Sequence, residues 1–168
     1  MLAFAQGDAG AFDRLYARHK GTVYRFIARS LPAKADAEEI FQEVWMKAIE
    51  ARGRYEPRAK FTTWIYAIAH NRLVDLWRKK GLALVPLDGG DEDDGPAFDP
   101  PGDPANEPFA QVSTQEALGR FAAALAALPP AQREAFLLRE EAELSIAEIA
   151  QATGANEEAV KSRVRYAT

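Results

Sequence analysis

The sequence has no cysteine, which rules out disulfides and thiolate metal sites. That absence fits a reducing compartment, and a cytoplasmic location is expected. Histidine is nearly absent too. His19 and His70 are the two present, too few for a clustered catalytic or metal centre, and no metal or other cofactor is assigned. No run of 18 or more apolar residues occurs, so no membrane insertion is expected. The opening MLAFAQGDAGAFDR lacks a basic region followed by a sustained apolar run, so no secretory leader is read there. A glycine-rich phosphate loop and a convincing carboxylate pair are also missing. These gaps leave an enzyme, such as a nuclease or deaminase, without its parts, and no small-molecule substrate is expected.

What the chain does have is helix periodicity and uneven charge. Its 168 residues are 48% hydrophobic and carry a net charge of −4. Residues 1–80 hold 15 Lys/Arg against 9 Asp/Glu, a net of +6, while residues 81–112 hold 8 acids and no base. Residues 113–168 carry a net of −2. A nucleic-acid backbone senses this local distribution rather than the total.

Strand signals are nearly lacking, and the pattern predicts an all-α protein. Phe12, Leu15, Tyr16, Val23, Phe26 and Ile27 recur at helical spacing over Ala9 to Leu31, and Pro32 ends the segment. Asp36 then offers an N-cap with Glu39 as capping-box partner. From there Ala37, Ile40, Phe41, Val44, Trp45, Ala48 and Ile49 make one apolar face as far as Glu50. The other face carries Glu38, Glu39, Gln42, Glu43, Lys47 and Glu50. It reads either as a solvated face or as a docking surface for a basic partner. A loop, GRYEPRAK, leads to a helix capped by Thr62 or Thr63 that runs to about Lys80, with Gly81 placed to end it.

Residues 86–108 contain six prolines, four glycines and eight acids. Such composition cannot bury enough apolar surface to fold alone and predicts a flexible linker, so the parts on either side are expected to move independently in the free chain. A second helical part starts near Ser113, with Leu118, Phe121, Ala122, Leu125 and Leu128 as its apolar stripe. Pro129 and Pro130 break it, and a helix near Ala131 to Glu143 follows.

The segment from Glu143 to Tyr166 reads as a helix-turn-helix. Ser145 with Glu148 has capping-box spacing. Gly154 supplies the positive φ of a tight turn. Asn156 caps the second helix, whose Val160 and Val164 point to the core. Lys161, Arg163 and Arg165 are left for the DNA major groove. An ordinary helical hairpin satisfies the same apolar pattern.

The loop and helix from Arg52 to Lys80 mix bases with aromatics. Arg52, Arg54, Arg58, Lys60, Arg72, Arg78, Lys79 and Lys80 suit phosphates, and Tyr55, Phe61, Trp64, Tyr66 and Trp77 are interleaved. Exposed rings can hold unstacked bases at roughly 1–3 kcal/mol per stack. Asn71 and Asp75, one turn apart, can read base edges, although Asp75 equally suits a pair with Arg72 or Arg78. Trp64 and Ile68 fit core better than base platform, and His70 is expected on the helix surface.

Four segments in this order resemble the extracytoplasmic-function sigma factors, sigma-70-type subunits of bacterial RNA polymerase. They are FAQGDAGAFDRLYARH, DAEEIFQEVWMKAI, KFTTWIYAIAHNRLVDLWRKK and ALAALPPAQREAFLLREEAELSIAEIAQATGANEEAVKSRVRYA. The resemblance covers nearly everything outside the linker. It implies sigma region 2 over residues 1–82, an acidic linker over 83–112 that threads near the RNA exit channel, and a region 4 helix-turn-helix over 113–168. It implies docking on polymerase core through Asp36, Glu39, Gln42 and Glu43. It implies −10 element melting and reading through Arg54, Tyr55, Arg58, Lys60, Asn71, Arg72, Asp75, Arg78 and Lys79, with a base flipped into a pocket formed largely by the loop. The −35 element falls to Asn156, Glu157, Lys161, Ser162, Arg163 and Arg165. An anti-sigma factor, which can hold such a protein at the inner membrane, is the further partner implied. Family members continue past the position of Thr168 with more basic residues, so the second unit is expected to be truncated. A stand-alone helix-turn-helix regulator is the alternative, but it would carry a ligand or dimer domain in place of the first half.

Overall fold

Asp8 sets where the first long helix starts: its carboxylate accepts the Ala11 amide at 3.0 Å, satisfying an otherwise orphaned first-turn N–H. A short helix α1 (Leu2–Ala5) precedes it, and α2 then runs over Ala9–Ser30. Leu31 is extended, φ −124° and ψ 139°, as the residue before a proline prefers. The computed structural model describes residues 1–81 and 114–168. The linker expected over 83–112 lies outside the described residues.

α3 covers Lys34–Glu50, so it begins two residues before the expected Asp36 cap. Its N-cap is Ala33, with no side-chain hydrogen bond. Asp36 instead sits in the first turn, favourable for an acid at a helix N-terminus, and forms an ion pair with Lys80. α4 covers Phe61–Lys79 and likewise starts earlier than expected, with Lys60 as its N-cap and again no side-chain hydrogen bond there. Thr62 and Thr63 therefore lie inside the helix, and Thr63 is buried. At its other end Gly81 takes φ +66° and its amide bonds the Arg78 carbonyl at 3.1 Å. A single 3-10 turn, Ala51–Arg54, joins α3 to the loop before α4.

Aromatic rings fill this first group. Phe26 meets Tyr66 edge-on at 5.2 Å between centroids, and Trp45 meets Tyr16 at 4.8 Å and Phe12 at 6.0 Å. Edge-to-face pairs of this kind add roughly 0.5–1.5 kcal/mol each beyond the area they bury.

The second group comprises α5 (Thr114–Ala127), α6 (Pro130–Glu140), α7 (Ile146–Thr153) and α8 (Glu157–Ala167). Pro130 occupies the first turn of α6, where its missing N–H costs nothing. Ser145 and Glu148 form the expected capping box, at 3.2 and 2.9 Å. Gly154 takes φ +69°, and Asn156 accepts the Ala159 amide at 2.7 Å.

The two groups meet across a shared seam. α7 packs on α4 and α6 on α2. Leu137, Leu138, Ile149 and Val160 join Phe26, Ile65 and Leu73 in one continuous buried cluster. Apolar surface that a two-helix motif cannot cover by itself is thereby removed from water. Arg133 straps the junction: its guanidinium donates to the carbonyls of Ala126 at 2.7 Å, Leu128 at 3.0 Å and Ser30 at 3.4 Å.

Candidate nucleic-acid interface

The 3-10 turn fixes the start of the basic loop. Arg52 donates to the Ile49 carbonyl at 3.2 Å and its guanidinium lies over the Phe4 ring at 5.6 Å, so α1 braces the turn. Beyond it Tyr55 is held by a T-shaped contact with Trp64 at 5.0 Å, and partial burial pushes its phenol pKa up. Arg58 pairs with Glu56 within the loop. Arg54 and Arg58 are exposed.

A cleft of about 250 Å³ opens between the end of α3, the 3-10 turn and α4. Trp64 and Ile68, half-buried, give it an apolar side, and Lys47, Arg54, Asn71 and Arg72 bring charge and an amide to it. Glu50 also lines it, paired with Lys47 at 2.9 Å. An apolar surface beside cations and an amide suits a planar heterocycle carrying a nearby phosphate. Trp64 and Ile68 thus serve the core and the cleft together. Tyr66 and Trp77 are buried, at 2% and 4% exposure, and cannot stack on anything outside.

Asn71 is exposed on α4, one turn before Asp75. Asp75 pairs with Arg72 at 2.7 Å, one of the two partners open to it. Arg78 and Lys79 close the helix, exposed, where cations suit the helix dipole. Lys60 reaches across to Glu148 of α7 at 2.8 Å. This ammonium, with the Ser145 amide and hydroxyl, depresses the Glu148 carboxyl to about 2. His70 departs from expectation. It is 6% exposed, and its Nδ1 lies 2.7 Å from Oε1 of Glu134 on α6. Its partner stands 64 residues away, a separation that local periodicity cannot register.

In the helix-turn-helix, α8 presents Glu157, Lys161 and Arg165 to solvent, with Asn156 at its cap and Ser162 and Arg163 half-buried. Lys161 is held by Glu158 at 2.7 Å, which pushes its pKa up. On α3, Glu39 and Gln42 are exposed, Glu43 is half-buried and Asp36 is engaged by Lys80. Lys47, Glu50 and the Arg52–Phe4 brace were missed by sequence reasoning. Lys47 and Glu50 are a helix-surface pair at i,i+3, a spacing that signals exposure and not a cleft.

Residues 15–82 match the family model for sigma-70 region 2, and residues 118–167 match that for sigma-70 region 4. Among curated relatives, the ECF RNA polymerase sigma factor BldN of Streptomyces coelicolor is 31% identical over 93% of this chain. The chain spans 57% of that relative's length. SigM of Mycobacterium tuberculosis, an ECF RNA polymerase sigma factor, is 32% identical over 97% of this chain and 76% of its own. The fold is shared with the sigma factor RpoE in its complex with the anti-sigma factor NepR from Bartonella quintana, at a TM-score of 0.68 and 21% identity, over 94% of this chain and 91% of that one. The architecture is therefore that of a two-part helical sigma-70 protein. Within that class, the chain belongs to the ECF RNA polymerase sigma factor family.

Proposed function

We propose that this chain binds bacterial RNA polymerase core and directs promoter-specific initiation, reading a −35 and a −10 element, with no catalysis of its own. One observation carries the reading: a helix-turn-helix and a basic, aromatic cleft occur together in one chain, in the order of the two sigma regions. Polymerase docks on the α3 face of Asp36, Glu39, Gln42 and Glu43. Arg54, Tyr55, Arg58, Lys60, Arg72, Arg78 and Lys79 hold the −10 strand, Asn71 and Asp75 read base edges, and the cleft receives a flipped base. Unstacking costs a few kcal/mol, offset by stacking and hydrogen bonds in the cleft. Asn156, Glu157, Lys161, Ser162, Arg163 and Arg165 face the −35 element. Residues 1–82 act as the polymerase and −10 unit and 113–168 as the −35 unit, with 83–112 between them.

Regulation by an anti-sigma factor that retains the chain at the inner membrane belongs to the same reading. No described helix is long and apolar enough to cross the membrane by itself.

The test is transcription by purified core polymerase with this protein at a two-element promoter. Specific initiation is expected. Duplex binding without polymerase binding or initiation would make the chain a free-standing regulator instead, and the α3 docking role would fall with it.

A further inference from the structure

His70 and Glu134 sit 2.7 Å apart with 7% and 6% of their side chains exposed, at the seam where α6 and α7 cover α2 and α4. The proposed promoter contacts use neither residue. Two polar groups buried together satisfy each other, and changing one leaves the other buried without its partner. Exposed ion pairs flank it: Lys60 with Glu148 at 2.8 Å, and Arg25 with Glu141 at 3.2 Å. Lys60 is thus occupied by the helix-turn-helix rather than free for a phosphate.

Distance makes this arrangement consequential. The −35 and −10 elements are named for positions about 25 base pairs apart, or about 85 Å of duplex at ~3.4 Å per pair. A folded body of this size is about 40 Å across. The closed molecule therefore cannot touch both elements at once. Residues 82–113 reach about 105 Å if fully extended, enough to let the two groups separate.

We infer that the free chain is self-closed: the His70–Glu134 pair latches the second helical group onto the first, and promoter engagement requires that latch to part. This rests on the proposed sigma function and adds a regulatory state to it that needs no second protein. Closure keeps Lys60 engaged and the two reading surfaces within one body. Replacing His70 by an acid sets two carboxylates against each other, and replacing Glu134 by a lysine strips the imidazole of its acceptor, so either change opens the molecule. Replacing both by apolar residues of similar size keeps it shut.

The experiment uses the full chain, whose lack of cysteine allows clean labelling. Spin labels on Arg18→Cys and Ala147→Cys, both exposed and outside the proposed contacts, report the separation of the two groups. A single narrow, short distance is expected in the otherwise unchanged chain. Glu134→Lys, or His70→Glu from the α4 side, is expected to give a broad distribution shifted to longer distances at unchanged helicity. The double variant His70→Leu with Glu134→Leu is expected to restore the narrow one. The open variant is expected to reach half-maximal transcription with core polymerase at about tenfold lower concentration. A broad distance in the unchanged chain, or a narrow one in both charge variants, overturns the latch. So does loss of helicity in both, because the pair would then be needed for folding. If the distances respond as expected but no variant supports transcription, the sigma reading fails and the latch stands.

Discussion

α7 and α8 each begin on a side chain that closes the first turn, Ser145 and Asn156, whereas α3 and α4 begin on Ala33 and Lys60 with none. The second pair has its boundaries written locally, within three or four residues. The first pair has them set from a distance, by the burial of Phe26, Val44, Trp45, Ile65 and Leu73 against one another. Aromatic packing dominates the first group, and aliphatic residues such as Leu137, Leu138, Ile149 and Val160 the second. A cap-defined motif keeps its shape with little core, which suits a module that must present α8 outward. A packing-defined bundle can leave an irregular segment, residues 51–60, suspended between two rigid helices.

Breaking the packing of the first group should have the largest effect. Phe26→Ala removes a fully buried ring and is expected to cost about 3–5 kcal/mol, read from denaturant melts. A loss below about 1 kcal/mol would mean the bundle does not depend on that core. Next comes the cleft. Asn71→Ala, at an exposed position, should leave stability within about 0.5 kcal/mol. Its effect belongs to open-complex formation, expected to fall about tenfold if a base edge worth about 1–3 kcal/mol is read there. Core-polymerase affinity falling equally would remove that role. Glu43→Arg is its mirror, expected to weaken polymerase binding first.

The capping side of the comparison has a pH signature. The Glu148 carboxyl is held at about 2, so its contribution is fully present above the ordinary carboxylate range and is lost as pH falls from about 4.5 towards 2. Lys60 is 76% exposed, and water discounts the pair to about 1 kcal/mol together with the cap. Glu148→Gln should remove that part of the acid sensitivity, and an unchanged profile would show that the cap carries none of it. The smallest effect sharpens the contrast in the other direction. Ala33 has the extended backbone a cap requires, φ −99° and ψ 124°. Ala33→Asp should therefore stabilise the chain by about 0.5–1 kcal/mol, whereas no such gain remains to be made at Ser145 or Asn156.

The same division decides what could be read from the chain. The helix-turn-helix was legible in detail because Ser145, Glu148, Gly154 and Asn156 act on their immediate neighbours. The Asp36–Glu39 box has identical spacing but does not form, since the buried phase of Ala37 and Ile40 starts α3 earlier and Lys80, 44 residues away, claims the Asp36 carboxylate. Thr62 and Thr63 were misplaced for the same reason. The basic loop was visible in composition, but the cleft beside it was not, because Lys47 and Trp64 meet only in three dimensions. His70 reads as surface until Glu134 is set beside it, and the linker's composition says nothing of the apolar match between α4 and α7.

Arg133 has one more consequence. Among the described residues, it donates to the main-chain carbonyls of Ser30, Ala126 and Leu128. The strap therefore depends on the path of the backbone at those three positions, while Arg133 itself has no substitute with the same fork of donors. Of those three carbonyls only that of Ser30 lies across the seam, so one main-chain acceptor ties α2 to the turn before α6.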